Sequence, residues 1–186
     1  EIPSLPSLGV STIKIFMAYK GTPLYTADED LFEAMQIARD AGVLVLVHAE
    51  NGDVIAKLQA EALERGDTDP HWHALTRPEL VEAEATNRAI RLAELADTPL
   101  LVVHVSCAAA LEEVRRAHAR GSTIYAETCP QYLVLTADDM DRPGVEGAKW
   151  CCSPPLRDKA AQAAIWAGLA NGTFQVYSSD HAPYRF

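Results

Sequence analysis

Long apolar runs and an excess of basic residues are both missing from this sequence. No stretch approaches the roughly 20 consecutive apolar residues of a membrane-spanning helix, so we expect no membrane segment. Lysine and arginine number 16 against 26 aspartate and glutamate residues, which gives a net charge of -10. Nucleic-acid binding depends on basic groups that neutralise phosphates, so we expect no nucleic-acid partner either.

Cysteines are few, and their spacing suits neither a zinc site nor a disulfide framework. The four cysteines, Cys107, Cys129, Cys151 and Cys152, form no C-x-x-C pair. The adjacent Cys151 and Cys152 are poor disulfide partners for each other. We therefore expect four reduced thiols in a cytoplasmic protein.

Short apolar runs alternate with helical patterns along most of the chain. The apolar runs are typical of strands buried in a parallel sheet and cover residues 12–17, 43–47, 100–105, 123–126 and 173–178. The helical patterns cover residues 26–41, 53–65, 76–96, 108–120 and 158–170. Capping-box sequences at residues 26–29 and 76–79 predict capped starts for two of these helices. The alternation predicts an α/β fold with a parallel sheet, interrupted by long loops at residues 66–76 and 129–155.

Three of the predicted strands lead directly into a residue that binds divalent metals well. His48 follows the second run, His104 lies within the third, and Asp180 follows the fifth, with His181 next to it. The carboxyl ends of parallel strands meet at one edge, where active sites of such folds lie. A single histidine at a strand end is more often a structural, hydrogen-bonded residue, but three such positions favour a metal site for zinc or a similar ion.

Lys14 is the unusual residue of the first apolar run. Alternation places it on the same strand face as Thr12 and Phe16, and a lysine on a buried face is costly unless it is paired or neutralised. One interpretation is an ion pair with an acidic residue. The other is carbamylation, in which the free amine adds carbon dioxide and becomes a carboxylate on a long arm that can bridge two metals.

Six segments together resemble, in order, the hydantoinase and dihydropyrimidinase branch of the amidohydrolases. They are residues 13–20 (IKIFMAYK), 48–53 (HAENGD), 103–107 (VHVSC), 127–133 (ETCPQYL), 153–157 (SPPLR) and 179–183 (SDHAP). The resemblance covers essentially the whole chain. Tyr19, five residues after Lys14, favours this branch over the allantoinases and dihydroorotases.

The resemblance implies a role for each residue that carries it. Carbamylated Lys14 would bridge two divalent ions, with zinc the expected metal. His48 and His104 would hold the more exposed ion, and Asp180 would bind the more buried ion and act as the acid and base.

The resemblance also implies which residues meet the substrate, a small cyclic amide. Tyr19 would donate a hydrogen bond to the developing oxyanion, and Ser153 would contact the ring amide. Leu24 and Tyr25 would lie on a loop that shapes the pocket for the exocyclic group. The implied reaction is metal-dependent ring opening of hydantoins or dihydropyrimidines.

The fold implied is a partial (β/α)₈ barrel, because a complete barrel needs about 250 residues. We expect residues 1–186 to be the central and C-terminal half of an amidohydrolase barrel. The first metal-ligand strand, with its His-x-His, and the segments after Asp180 would be missing. His71 and His73 do spell His-x-His, but no buried strand leads into them, and we expect a surface loop there. The family also implies a homo-oligomer, a tetramer.

Two alternatives remain open. A non-catalytic scaffold of the dihydropyrimidinase-related kind would share the fold, but such scaffolds have lost metal ligands, whereas Lys14, His48, His104 and Asp180 are all present. An allantoinase-like hydrolase of cyclic ureides is the second alternative, and Tyr19 argues against it.

Overall fold

Five parallel strands form a single sheet in the computed structural model of this protein, which describes residues 1–182. The strands lie side by side in chain order and are β1 (Thr12–Phe16), β2 (Leu44–His48), β3 (Leu100–Val102), β4 (Ile124–Thr128) and β5 (Val176–Tyr177). Each neighbouring pair is parallel. Pro183, the last residue of the final motif, lies outside the described residues.

Helices connect the strands. They are α1 (Asp28–Ala41), α2 (Gly52–Arg65), α3 (Trp72–Leu75), α4 (Glu79–Ala96), α5 (Ala108–Ala119), α6 (Gln131–Val134) and α7 (Lys159–Ala170). Shorter 3₁₀ turns cover Ile2–Ser4, Pro6–Leu8, Ala137–Asp141 and Gly144–Trp150. Within residues 1–182, no helix combines the length and apolarity needed to cross a membrane.

The main core lies between one face of the sheet and the long helices. Strand residues on this face are almost completely buried: Val45, Val47, Leu100, Val102, Ile124 and Ala126. They form one apolar cluster with Leu31 and Met35 of α1, Ile90 of α4 and Leu111 of α5. The long helices therefore cover the same face of the sheet.

Strand order and helix placement together give the winding of a β/α barrel. A sequential order with right-handed crossovers puts every connecting helix on one face, whereas a doubly wound sheet reverses its order and has helices on both. The predicted partial (β/α)₈ architecture is confirmed, and the residues inside such a barrel are those on the other face. Lys14, Leu46, Leu101 and Tyr125 lie side by side there, across four strands.

The expectation that Lys14 points into a buried face is wrong. Its side chain is 31% exposed, and Thr12 beside it on the same face is exposed as well. The reason is that this face has no second layer over it within residues 1–182, since the long helices pack on the opposite side. The lysine is paired instead with an acidic residue, as described below.

Element boundaries differ from the prediction by up to three residues, at helix starts and in the shorter strands β3 and β5. Both capping boxes are wrong: α1 begins after Ala27 and α4 after Pro78, and neither has a side-chain cap. The Thr76 hydroxyl donates instead to the Trp72 carbonyl, because residues 72–75 form the short helix α3 within the predicted loop. The predicted loop at 129–155 likewise contains α6 and two 3₁₀ turns.

A buried ion pair ties the start of α4 to the segment before α7. Arg157 donates from Nη2 to Oε2 of Glu82 at 2.8 Å, and the side chains are 7% and 2% exposed. Arg157 also donates to the Ser106 hydroxyl at 3.0 Å, and Glu82 Oε1 accepts from the Ser106 amide at 2.8 Å. Three segments far apart in the chain are thus joined two residues beyond His104.

We predict that Arg157→Ala lowers the free energy of unfolding by about 3–5 kcal/mol, because it leaves the Glu82 carboxylate buried without its partner. Arg116→Ala is the matched control, since Arg116 pairs on α5 with its side chain 59% exposed and should cost less than about 1 kcal/mol. Denaturant unfolding of both variants measures the difference. Equal losses in the free energy of unfolding would show that the buried ion pair contributes no more to stability than the exposed one.

Candidate active site

The predicted ligand residues gather at the carboxyl edge of the sheet. His48 is the last residue of β2 and pairs in register with Phe16, the last residue of β1. His104 comes two residues after β3, and Asp180 three residues after β5. Lys14 lies in the middle of β1, two residues before that edge.

His48 and His104 form a buried pair. Their ring centroids are 4.4 Å apart with an interplanar angle of 71°. Each residue is 1% exposed. Burial lowers the pKa of His104 well below its ordinary value, and the charges of His48 and Lys14 lower it further. His104 is therefore a neutral imidazole with a lone pair available to a cation.

Neither ring nitrogen of His104 has a hydrogen-bond partner among residues 1–182. This is unusual, because buried polar groups are almost always hydrogen-bonded. A metal ion bound to one ring nitrogen would account for one of these two unpartnered atoms.

His48 is oriented by a carboxylate. Its Nε2 lies 2.6 Å from Oε2 of Glu50, which is fully buried. Histidines that bind metals usually use one ring nitrogen for the metal and the other for a carboxylate, carbonyl or water. The contact with Glu50 leaves Nδ1 of His48 as the nitrogen for a metal, and it gives Glu50 an orienting role.

Lys14 and Asp180 form the ion pair that was one interpretation of the lysine. Nζ of Lys14 donates to Oδ1 of Asp180 at 3.1 Å, and the two side chains are 31% and 40% exposed. Nζ also lies 5.4 Å from the centre of the Phe16 ring. Residues 1–182 contain no group of three or more His, Cys, Asp or Glu side chains placed to hold one ion. The assignment of His48, His104 and Asp180 to a metal site therefore stays a prediction.

Backbone strain is concentrated at the site. The non-glycine residues with positive φ in the described chain are Tyr19 (65°), Asp97 (53°), His104 (44°) and Asp180 (43°). Asp97 ends α4, a common place for this conformation. The other three were all predicted as site residues. Such conformations cost about 1–3 kcal/mol each and persist only where the surroundings enforce them.

The surroundings of His104 do enforce its conformation. On one side the Val103 amide donates to the Val47 carbonyl at 3.2 Å. On the other, the Val105 amide donates to the Glu127 carbonyl at 2.8 Å. The Glu82 carboxylate then holds the Ser106 amide. His104 is fixed between these anchors.

Tyr19 is brought against the histidine pair and Ser153. Its ring centroid is 5.2 Å from that of His48. Burial raises the pKa of Tyr19, while a hydrogen bond with the Ser153 side chain and the charge of Arg77 lower it. The phenol therefore stays protonated near neutral pH and can donate a hydrogen bond. Tyr19 and Ser153, predicted from different motifs, lie together.

Leu24 and Tyr25, the two predicted substrate residues on the loop after Tyr19, have different surroundings. Leu24 is 53% exposed. The Tyr25 hydroxyl donates to Oδ2 of Asp53 at 3.0 Å, so it is directed to the first turn of α2. Of the two, Leu24 presents the free apolar surface.

His73 and Arg77 were not predicted to be near the site. His73 lies 2.7 Å from the Cys152 carbonyl, and the charge of Arg77 acts on Tyr19. The expected surface loop is wrong here, because Trp72, His73 and Ala74 of α3 are partly buried and Thr76 and Arg77 are buried. The only sequence signal was the polar, His-rich composition of residues 66–76.

Known proteins match the chain over its whole length. No protein-family model matches it. The D-hydantoinase of Streptomyces coelicolor is 50% identical over 186 residues, which are 100% of this chain and 40% of that protein. Among solved structures, D-hydantoinase from Bacillus sp. AR9 superposes with a TM-score of 0.96 at 49% identity, over 100% of this chain and 40% of that one. Dihydropyrimidinase from Brevibacillus agri gives a TM-score of 0.95 at 49% identity, over 98% and 40% of the two chains.

The chain thus spans about 40% of the length of the curated relatives that it matches. Within that span, both the sequence alignment and the structural superposition cover the whole of this chain. The resemblance drawn from six sequence motifs is confirmed: residues 1–186 are homologous to one segment of the hydantoinases and dihydropyrimidinases.

Proposed function

We propose that this chain is the central part of a metal-dependent hydrolase that opens cyclic amides such as hydantoins or dihydropyrimidines. The observation that carries the proposal is the buried, neutral His104 with no hydrogen-bond partner among residues 1–182, packed against a carboxylate-oriented His48. A structural histidine at this position would be hydrogen-bonded. A divalent ion would occupy one of the two unpartnered ring nitrogens of His104.

The donors at the carboxyl edge would supply part of the ligands of two divalent ions. In this proposal His48 and His104 would hold one ion, Asp180 would bind the other, and carbamylated Lys14 would serve both. Lys14 forms the carbamate when its neutral amine adds carbon dioxide, with one N–C bond made and one proton released. When bound, such ions make water acidic enough to supply a nucleophile near neutral pH and polarise the substrate carbonyl. Imidazole and carboxylate donors favour zinc.

The side chains around that position have separate tasks. Asp180 accepts the proton of the attacking water and passes it to the leaving ring nitrogen. The phenol of Tyr19 donates to the carbonyl oxygen as negative charge develops on it. Ser153 contacts the ring amide, and Leu24 meets the exocyclic group.

A non-catalytic scaffold with this fold is less well supported. All four proposed ligands are present, and three strained backbone positions coincide with Tyr19, His104 and Asp180. Backbone strain of this kind collects at working sites, whereas a scaffold would have no reason to maintain it. An allantoinase-like ureide hydrolase differs mainly at the oxyanion donor, and the placement of Tyr19 beside His48 and Ser153 favours the hydantoinase alternative.

The remaining metal ligands would come from the part of the protein that corresponds to the unmatched 60% or so of the relatives. We propose that a His-x-His supplied from outside residues 1–186 completes the binuclear centre. The four cysteines are all free thiols, which fits a reducing, cytoplasmic compartment. A homo-oligomer is proposed from the resemblance, and β1 and β5 are edge strands of the sheet that further chain could cover.

We predict that Lys14→Ala in the full-length protein abolishes binding of the metal pair and with it the activity. Bicarbonate together with a short carboxylic acid should restore part of both, because the acid replaces the carbamate. The matched control is Lys20→Ala, which removes a lysine that pairs with Asp53 on the exposed surface. Elemental analysis and turnover of hydantoin measure the outcome, and full metal content in the Lys14 variant would contradict the proposed role.

Tyr19→Phe should lower kcat far more than it raises KM, because the hydrogen bond strengthens only as the oxyanion forms. A loss of roughly 10²–10³-fold is the usual size for one oxyanion donor. Tyr177→Phe changes a tyrosine that is 55% exposed and serves as the control. Steady-state kinetics decide the matter, and an unchanged kcat would remove Tyr19 from the reaction.

Residues 1–186 by themselves should bind at most one ion and should not hydrolyse hydantoin or dihydrouracil. His48 and His104 offer one ion two ligands, and Lys14 and Asp180 are too few for the other, because zinc enzymes generally use three. Elemental analysis and turnover of the isolated chain test this. Two tightly bound ions with turnover would overturn it, and would restore His71 and His73 as candidate ligands.

A further inference from the structure

The segment between α2 and α4 reaches into the proposed substrate site through one side chain. His73 in α3 is partly buried, and its Nε2 lies 2.7 Å from the Cys152 carbonyl and 3.4 Å from the Ser153 hydroxyl. These contacts join residues 79 and 80 positions apart in the sequence. The predicted substrate contact, Ser153, is therefore held from behind by a residue outside every motif.

The hydrogen bonds around His73 fix its tautomer. Arg77 approaches Nδ1 with Nη1 at 3.1 Å. A guanidinium can only donate, so Nδ1 must accept and the ring proton must lie on Nε2. Nε2–H then donates to the Cys152 carbonyl. Burial lowers the pKa of His73, and the charge of Arg77 lowers it further, which keeps the ring in this neutral form.

His71, two residues earlier, faces a different partner. Its Nδ1 lies 2.7 Å from Oδ1 of Asp141, in the 3₁₀ turn Ala137–Asp141. The two histidines of the His-x-His therefore point to separate groups. His71 is therefore a nearby histidine that makes no contact with Ser153.

We infer that His73 is a positioning residue: it fixes the peptide of Cys152 and Ser153 and so presents Ser153 to the substrate amide beside Tyr19. This inference rests on the proposed function, since it assigns to Ser153 the substrate contact. Arg77 supports the arrangement from the far side of the ring. The ring itself does not touch the reacting atoms.

The test compares two amides at position 73 in the full-length protein. The glutamine in His73→Gln reaches the place of Nε2 and can donate to the Cys152 carbonyl. The asparagine in His73→Asn stops near the place of Nδ1, so it can accept from Arg77 but loses the carbonyl. His71→Asn is the matched control. Each variant is first checked for wild-type metal content.

We expect His73→Asn to lower kcat/KM for a hydantoin by roughly tenfold or more, because a buried carbonyl loses its donor and the Ser153 peptide shifts. His73→Gln and His71→Asn should stay within about threefold of the wild type. Combined with Ser153→Ala, the His73→Asn change should add nothing, since both act through one contact. A purely structural role would instead give multiplied losses, and that outcome, or equal losses for Asn and Gln, overturns the inference.

Crystal structures of the same variants separate this inference from the proposed function. If the wild type turns over no cyclic amide, the proposed function fails, and the position of Ser153 still decides the role of His73. The positioning role is supported if the Cys152–Ser153 peptide has moved away from Tyr19 in His73→Asn but keeps its wild-type position in His73→Gln. An unmoved peptide in His73→Asn contradicts it.

Discussion

Parallel pairing with sequential strand order is the constraint on which the proposed site depends. It brings the carboxyl ends of all five strands to one edge, so that residues more than a hundred positions apart, such as Lys14 and Asp180, come within 3.1 Å. It also puts the long helices on one face of the sheet. The other face, with Lys14 on it, stays free for chemistry because apolar packing is completed behind it by α1, α4 and α5.

The loops at this edge are held rigid by buried polar contacts. His104 and Asp180 adopt left-handed backbone conformations, which unconstrained residues avoid. Around His104, backbone hydrogen bonds to both flanking strands and the Arg157–Glu82 ion pair hold the loop in place. That ion pair is costly to desolvate, and its effect is geometric: it sets where Ser106, and hence the loop with His104, lies.

The sequence predicted best those features in which a residue type has a single physical role, such as apolar residues facing the core. Strand and helix positions followed from periodicity, since a core face needs apolar residues at fixed intervals. His48, His104 and Asp180 could be placed at one edge because parallel strands share it, whereas Tyr19 was identified only from the family resemblance. The failures concern tertiary context. Whether Thr76 caps α4 or bonds back to Trp72 depends on the turn of α3 before it. Similarly, His73 reaches Cys152 only because residues 79 positions apart are folded together, which no local pattern encodes.

The charge of Lys14 links its two interpretations. As an ammonium it neutralises Asp180 at 3.1 Å, a stable arrangement on a partly exposed face. As a carbamate it would place a second negative group beside that carboxylate, and two like charges about 4 Å apart repel by about 4 kcal/mol at the effective dielectric constant of a protein surface. Only cations between them could offset this repulsion. Carbamylation of Lys14 and metal binding at this site are therefore expected to depend on each other.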